Sequence, residues 1–301
     1  MPIPLKVRPH WTMVTLLAQA IVNGLLLGGL FALIAIGLTL IWGVMRIINF
    51  AHGEFLMVAM YITFFLVDRA GLNPYLAALI TVPALFIVGA AIFRVSIQPV
   101  LKDPVMNQIL LTLGLSLVLQ NVALVLFKAT PLFVQTAYTN VNFNLGPVVV
   151  QLPKLIAFVG SILAALLLWW FLQYTDMGRA IRAASQNQEA AMLMGIDVRR
   201  TYLVAFGIGS ACVGLAAPLM ISFYYTSPTV GLFFGLIAFV VVVLGGMGNF
   251  LGALVGGLII GLTEAVGAAV LPGSLSRVLT FAIFVLMLLF RPEGIFGRRQ
   301  G

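Results

Sequence analysis

The chain has 301 residues, 62% of them hydrophobic and only 8% charged, with a mean hydropathy of +1.16. A soluble domain carries about 25% charged residues, so this composition excludes one and points to a polytopic membrane protein. The net charge of +8 does not indicate nucleic acid, because the arginines sit at the ends of apolar runs and in loops, where they set topology.

Long unbroken apolar runs, rather than ten-residue alternation, select helices over a closed barrel. The expected fold is all-α, a single domain over 1–301 with about eight to ten transmembrane helices of roughly 20 residues each. Cys212 is the single cysteine, so no intrachain disulfide can form.

Lys6 and Arg8 precede the first apolar run, and Ala18-Gln19-Ala20 has the form of a signal-cleavage site. Hydrophobicity continues from Ile21 to Val44, so the segment is expected to stay as a span. The run 11–48 exceeds one upright span and contains Asn23-Gly24 and Gly28-Gly29. It is expected to be tilted, broken or folded back. A shorter span follows to Val67, with a turn at 68–74. Further spans are expected at 75–93, 105–127, 152–172, 203–223, 231–246, 251–271 and 279–290.

Charge gives the orientation. The basic loop 94–104, the loop 174–200 and the basic C-terminus belong in the cytoplasm, and the nearly uncharged loop 128–151 suits the outer face. Three spans before Arg94 place Lys6 and Arg8 outside, whereas two or four keep them inside. The first run is therefore expected to be irregular, with residues 49–54 re-entrant.

The one long polar interruption is 174–200, with four arginines (Arg179, Arg182, Arg199, Arg200) and three acids (Asp176, Glu189, Asp197). Ser185-Gln186-Asn187-Gln188 has the S-x-x-Q form of a capping box. It predicts a short helix from Ser185 to Met194, ended by Gly195 in a left-handed conformation. Ala190, Leu193 and Met194 share one face by i, i+3, i+4 spacing. Such a face suits either the lipid surface or a groove on a partner protein.

Ionisable groups at membrane depth are expensive, which makes His52, Glu54 and Glu264 the leading functional candidates. Asn49-Phe50-Ala51-His52-Gly53-Glu54 must line a cavity or lie buried if it enters the membrane, because irregular backbone cannot face lipid. The other reading of these residues is a span boundary at headgroup level. Gln120 and Asn121 fit interhelix hydrogen bonding as well as a pathway. Gly252-x-x-x-Gly256 and Gly257-x-x-x-Gly261 predict close helix packing, with a sharp turn at 245–249.

The absences narrow the function. No G-x-x-x-x-G-K-[ST] string is present, so ATP is not bound through a P-loop. No Cys/His cluster suggests a metal, and no nucleophile–base pair suggests an enzyme. Asn73-Pro74-Tyr75 is the only Asn-Pro dipeptide, against the paired Asn-Pro-Ala loops of water channels.

Several stretches in order resemble the permease subunits of branched-chain amino-acid ABC importers. They are the run 28–40, Asn49-Phe50-Ala51-His52-Gly53-Glu54, Met177-Gly178-Arg179-Ala180-Ile181-Arg182-Ala183, Met194-Gly195-Ile196, Leu244-Gly245-Gly246-Met247-Gly248 and Arg291-Pro292-Glu293-Gly294-Ile295. The resemblance covers about residues 20–297. It implies a bacterial inner-membrane permease with no cofactor of its own, ATP being held by two partner ATPase subunits. It also implies a paralogous permease or a second copy, and a periplasmic substrate-binding protein.

On that resemblance, 174–200 matches the coupling loop. Gly178, Arg179, Arg182, Gln188, Glu189, Ala190, Leu193, Met194 and Gly195 would then transmit ATPase closure to the spans. Asn49, His52, Gly53, Glu54, Gln120, Asn121 and Glu264 are the pathway candidates. Relatives that import urea, short amides or other amino acids share the same pattern. The reading from another class is an ion-coupled transporter or channel, in which Glu54, His52 and Glu264 carry protons.

Overall fold

The computed structural model describes residues 13–136, 139–271 and 275–297. Lys6, Arg8, Arg298 and Arg299 lie outside the described residues. The chain is all-α and polytopic, apart from one small hairpin. Among the described residues six helices are long and apolar enough to cross a membrane, and α2 (His52–Asp68), α9 (Val230–Gly245) and α11 (Leu275–Phe290) are shorter.

Helix α1 (Met13–Met45) is one unbroken rod of 33 residues, about 50 Å at 1.5 Å per residue. The expected break or fold-back at its glycines is absent. Those glycines serve close packing instead. A Cβ on Gly24 would meet Leu262 Cα at 2.8 Å, and one on Gly28 would meet Leu258 Cα at 2.8 Å. Both partners lie on α10 (Phe250–Val270), whose own Gly257 and Gly261 face α1 in return. The expected Gly-x-x-x-Gly packing is therefore real, with α1 as the partner of the second motif.

Most of α1 from Gly28 to Leu40 is buried. It runs through the bundle, touching α5 (Leu152–Tyr174), α8 (Val198–Met220) and α9 (Val230–Gly245) as well as α10. Helix α3 (Pro74–Ile92) lies against α8, and α2 (His52–Asp68) against α8 and α9. Helix α4 (Val105–Phe127) stands at the edge and exposes Leu110, Leu117, Val118 and Val125. Helix α11 (Leu275–Phe290) packs on α9 and α10.

Local chemistry sets most of the boundaries. Asn73, Asp197 and Asn249 cap α3, α8 and α10 by accepting from the N–H groups of Tyr75, Arg200 and Gly252. Gly246 and Gly248 have φ of 102° and 81°, which forms the sharp turn between α9 and α10. The C-terminal residues grip that turn. The N–H groups of Ile295 and Phe296 donate to the carbonyls of Leu244 and Gly245, and Asn249 Nδ2 donates to Phe296 O.

Three segments differ from expectation. The basic loop 94–104 begins as a continuation of α3, with a π turn over Phe93–Ile97 and a 3₁₀ turn over Gln98–Val100. The loop 128–151 holds an antiparallel hairpin, β1 (Asn142–Leu145) and β2 (Val148–Gln151), turning at Gly146. In the polar stretch, helix α6 (Asp176–Gln186) precedes α7 (Gln188–Leu193).

The two ends of the bundle follow from these contacts. Gln19, near the start of α1, exchanges two hydrogen bonds with Val149 of the hairpin, at 2.8 and 2.7 Å. At the other end Gly43 lies against Gly248 of the α9–α10 turn, and α1 touches α6. Three helices, α1, α2 and α3, precede Arg94, and the first is a regular helix that begins at the hairpin end rather than an irregular one.

Candidate functional site: the returning segment and the polar helical elbow

Beyond Met45 the chain reverses. Arg46 takes φ of 56°, unusual for a residue with a Cβ, and closes the last turn through its N–H to Trp42 O. Residues 46–51 then run back along α1. His52, the first residue of α2, places Nε2 3.0 Å from the carbonyl of Ile34. Ile34 is eleven residues before Met45, about 16 Å along the rod, a distance that six extended residues can span. Helix α2 therefore starts deep in the bundle, beside the middle of α1.

Past the exposed Arg46, the polar side chains of this segment are buried: Asn49 is 3% exposed, and His52 and Glu54 are 1% exposed. Asn49 Oδ1 accepts from the Ala51 N–H at 3.1 Å, an Asx-type turn that launches α2. Thr112 of α4 donates to Ile48 O at 3.0 Å, and Ser116 of α4 donates to Glu54 Oε1 at 3.3 Å. Asn49 Nδ2, His52 Nδ1 and Glu54 Oε2 have no hydrogen-bond partner. Gly53 sits on α9, where a Cβ would meet Gly235 Cα at 2.7 Å. The Glu54 carboxylate crosses the face of Gly231.

Beside this segment lies a cavity of about 50 Å³. Its wall includes Asn49, Phe50, Ser116, Gly235, Leu236 and Phe239, drawn from the returning segment, α4 and α9.

The other pathway candidates do not join the site. Asn121 is exposed and its Nδ2 donates to Leu117 O of its own helix at 2.7 Å. Gln120 lies four residues beyond Ser116, one helical turn further along α4. Glu264 is on α10 at the level of Gly24, ten residues of α1 from Ile34 and so about 15 Å away along the axis. On α4, where Gln120 and Asn121 were the expected candidates, sequence reasoning missed Thr112 and Ser116. Gln108, Thr112, Ser116 and Gln120 recur every fourth residue in a largely apolar helix, and that stripe was the available signal.

The second region is α6–α7. Thr175 caps α6 by accepting from the Gly178 N–H at 3.0 Å, and Asn187 caps α7 by accepting from the Ala190 N–H at 3.0 Å. Ser185 is not the cap: it lies inside α6 and donates to Arg182 O. The helix it was expected to open starts two residues later. Gly195 has φ of 81° and ends α7 as expected.

The expected coupling residues divide by role. Gly178 is buried, and a Cβ there would meet Leu172 Cα at 2.6 Å, so it lets α6 fold back on α5. Arg182 ties the same corner, donating to Gln173 Oε1 at 2.7 Å and Gln173 O at 3.1 Å. Arg179 pairs with Asp176 at the surface. Gln188, Glu189 and Ala190 are exposed, and so are Leu193 and Met194, at 89% and 82%.

Comparison with known proteins adds the family. Residues 20–288 match the model of the family described as branched-chain amino acid transport system / permease component. The chain is 33% identical over 298 residues to the high-affinity branched-chain amino acid transport system permease protein LivH of Salmonella typhimurium, covering 94% of this chain and 96% of the relative. It is 34% identical over 297 residues to the corresponding protein BraD of Pseudomonas aeruginosa, with the same coverage. A shorter match, 32% identical over 197 residues, joins it to the ribose import permease protein RbsC of Escherichia coli, covering 61% of this chain and 59% of the relative. No solved structure matches.

Proposed function

The chain belongs to the permease-component family of branched-chain amino acid transport systems, and from that premise we propose that it forms the membrane pathway of an ATP-driven importer for branched-chain amino acids. Its relatives are permease components of transporters rather than enzymes, and it is a multi-pass membrane protein. In the proposed assembly it pairs with a second permease chain, two ATPase subunits that hold the ATP, and a periplasmic binding protein.

The observation that carries this reading is the α6–α7 surface. Two capped helices hold Leu193 and Met194 out at one end of the bundle, on a platform tied by Thr175, Arg182 and Asn187. An exposed apolar pair on a locally rigid helix supports docking into a groove of the ATPase, the helix-in-groove mode of recognition. By the positive-inside rule this end, with Arg94, Lys102 and Arg291, faces the cytoplasm of a bacterial inner membrane. The hairpin end faces the binding protein. ATP binding on the partners then shifts the outward–inward equilibrium by its differential affinity for the two states. Substrate crosses beside the Asn49–Glu54 elbow.

The test is purification of the tagged chain from its native membrane in mild detergent, followed by reconstitution of what accompanies it. Expected is a co-purifying P-loop ATPase, with ATP-dependent leucine uptake that needs the binding protein. If the chain emerges alone and its uptake follows an ion gradient, the ion-coupled reading replaces this one.

A further inference from the structure

The cavity beside the elbow has a mixed lining. Leu38, Leu232, Leu236 and Phe239 are among its apolar residues, and Asn49 and Ser116 are its polar side chains. Asn49 has its Oδ1 committed to the Ala51 N–H, which turns Nδ2 away from the turn and leaves it without a partner in a nine-tenths buried residue. A buried donor left unsatisfied costs about 1–3 kcal/mol, so its retention calls for a visiting acceptor. Ser116 spends its one proton on Glu54 Oε1, so it offers lone pairs only, and Glu54 Oε2 behind it is unpartnered too. Asn49 thus brings a spare donor to the residues around the cavity, and the Ser116–Glu54 pair brings spare acceptor oxygens.

That pairing is the complement of an amino-acid head group. Asn49 also lies at the start of the 17-residue α2, whose N-terminal end carries partial positive charge. Size agrees. A water needs about 10–15 Å³ of such space, so a cavity of about 50 Å³ holds a few waters, or a carboxylate with its ammonium, but not a whole leucine.

We propose that the Asn49 side-chain amide binds the α-carboxylate of the amino acid in transit, while the Ser116–Glu54 pair takes its α-ammonium. The aliphatic side chain then lies toward Leu232, Leu236 and Phe239. This rests on the importer reading above. It assigns the elbow to the part shared by leucine, isoleucine and valine, and leaves only shape-tolerant apolar contact for the part in which they differ.

The variants Asn49→Asp and Asn49→Ser each keep an oxygen to accept from the Ala51 N–H and remove the amide N–H₂. They are measured in proteoliposomes holding the whole complex, with leucine and valine as probes. Expected in both variants is uptake lowered at least tenfold, by the same factor within twofold for the two substrates. The assembled complex is recovered in the same yield, and melts at the same temperature, as the wild type.

Near-normal uptake in either variant overturns the proposal. So does a leucine-to-valine ratio changed more than threefold, which assigns Asn49 to the side chain, and so does a loss of assembled complex or of melting temperature that accounts for the lost uptake, which makes Asn49 structural. A wild-type complex that carries no leucine at all fails the importer reading instead, and the two failures are thereby separate.

Discussion

The elbow around Asn49–Glu54 and the α6–α7 platform are both departures from straight membrane helices, yet they are held in opposite ways. The elbow is fixed from outside: α1, α4, α8 and α9 close on it, Gly53 admits α9, and the carbonyl of Ile34 holds His52. The platform is fixed from within. Thr175 and Asn187 each satisfy a backbone donor three residues away, and Arg182 reaches nine residues back to Gln173. One region spends its side chains on burial and keeps a few polar atoms over; the other satisfies its backbone locally and keeps its apolar side chains free. Local closure leaves an apolar surface uncovered, and global closure leaves spare polar atoms beside a small cavity.

The sharpest way to break this comparison is Gly53→Ala. The added methyl meets Gly235 Cα and the Gly231 carbonyl, both backbone atoms of a packed helix that cannot step aside. Overpacking of this kind costs about 3 kcal/mol or more. The expected outcome is loss of the monodisperse protein in fluorescence-detected size-exclusion chromatography, or a much lowered melting temperature. Unchanged melting shows that the elbow yields where the geometry says it does not.

Next in size is the double substitution Leu193→Asp, Met194→Asp on the platform. Both side chains are exposed, so melting should hold to within a degree or two. If they anchor a partner, binding of the ATPase weakens by about 2 kcal/mol, roughly thirtyfold, in a detergent pull-down. A melting temperature that falls along with binding removes the distinction between the two regions.

Arg182→Glu acts between them, because Arg182 joins the platform to α5 through Gln173. Uptake per ATP hydrolysed is expected to fall about tenfold, or 1.4 kcal/mol of coupling, with the complex still assembled. Wild-type stoichiometry removes α6 from the coupling route. Gly178→Trp is a poorer probe, since its side chain collides with Leu172 and disturbs the fold itself.

The smallest effect belongs to Asn187→Ala, which removes the cap of α7 at about 1 kcal/mol. Amide hydrogen exchange at α7 should quicken about fivefold while the bundle's exchange stays unchanged. Quickening that spreads to α5 or α8 shows that the platform is not locally closed.

The same contrast decides what could be read from the sequence. Helices α3, α4, α5, α9 and α10 fall within a residue or two of their expected ends, because an apolar run and its capping residue are local signals. The capping misread at Ser185 has a local cause as well. Ser185 and Asn187 are both good caps two residues apart, and the six residues Ser185–Ala190 do not say which one starts the helix. Helix α6 hid because its buried face is only Gly178, Ile181 and Ala184 among polar residues.

The hairpin carried a usable signal in Gly146-Pro147 followed by Val148-Val149-Val150, between two spans whose greater hydropathy drew the attention. The elbow was legible only in part. Its residue types marked it as costly at depth, but that Glu54 meets Ser116, and that Glu264 stands about 15 Å from His52's partner Ile34 along α1, depends on contacts across 62 residues and more.

The long first helix has a consequence for how the protein is made. The main neighbour of α1 is α10, which begins 205 residues after α1 ends, at Phe250 against Met45. At about 5–20 residues per second of synthesis, α1 waits roughly 10–40 s before that neighbour exists. Through that interval its Gly24 and Gly28 stripe has no α10 to meet, in a newly inserted helix whose eventual place is at the centre. A membrane chaperone or the insertion machinery itself has the opportunity to shield that stripe. Ribosomes arrested between α9 and α10 should therefore leave α1 open to crosslinking from lipid or from insertase, and release past Val270 should close it.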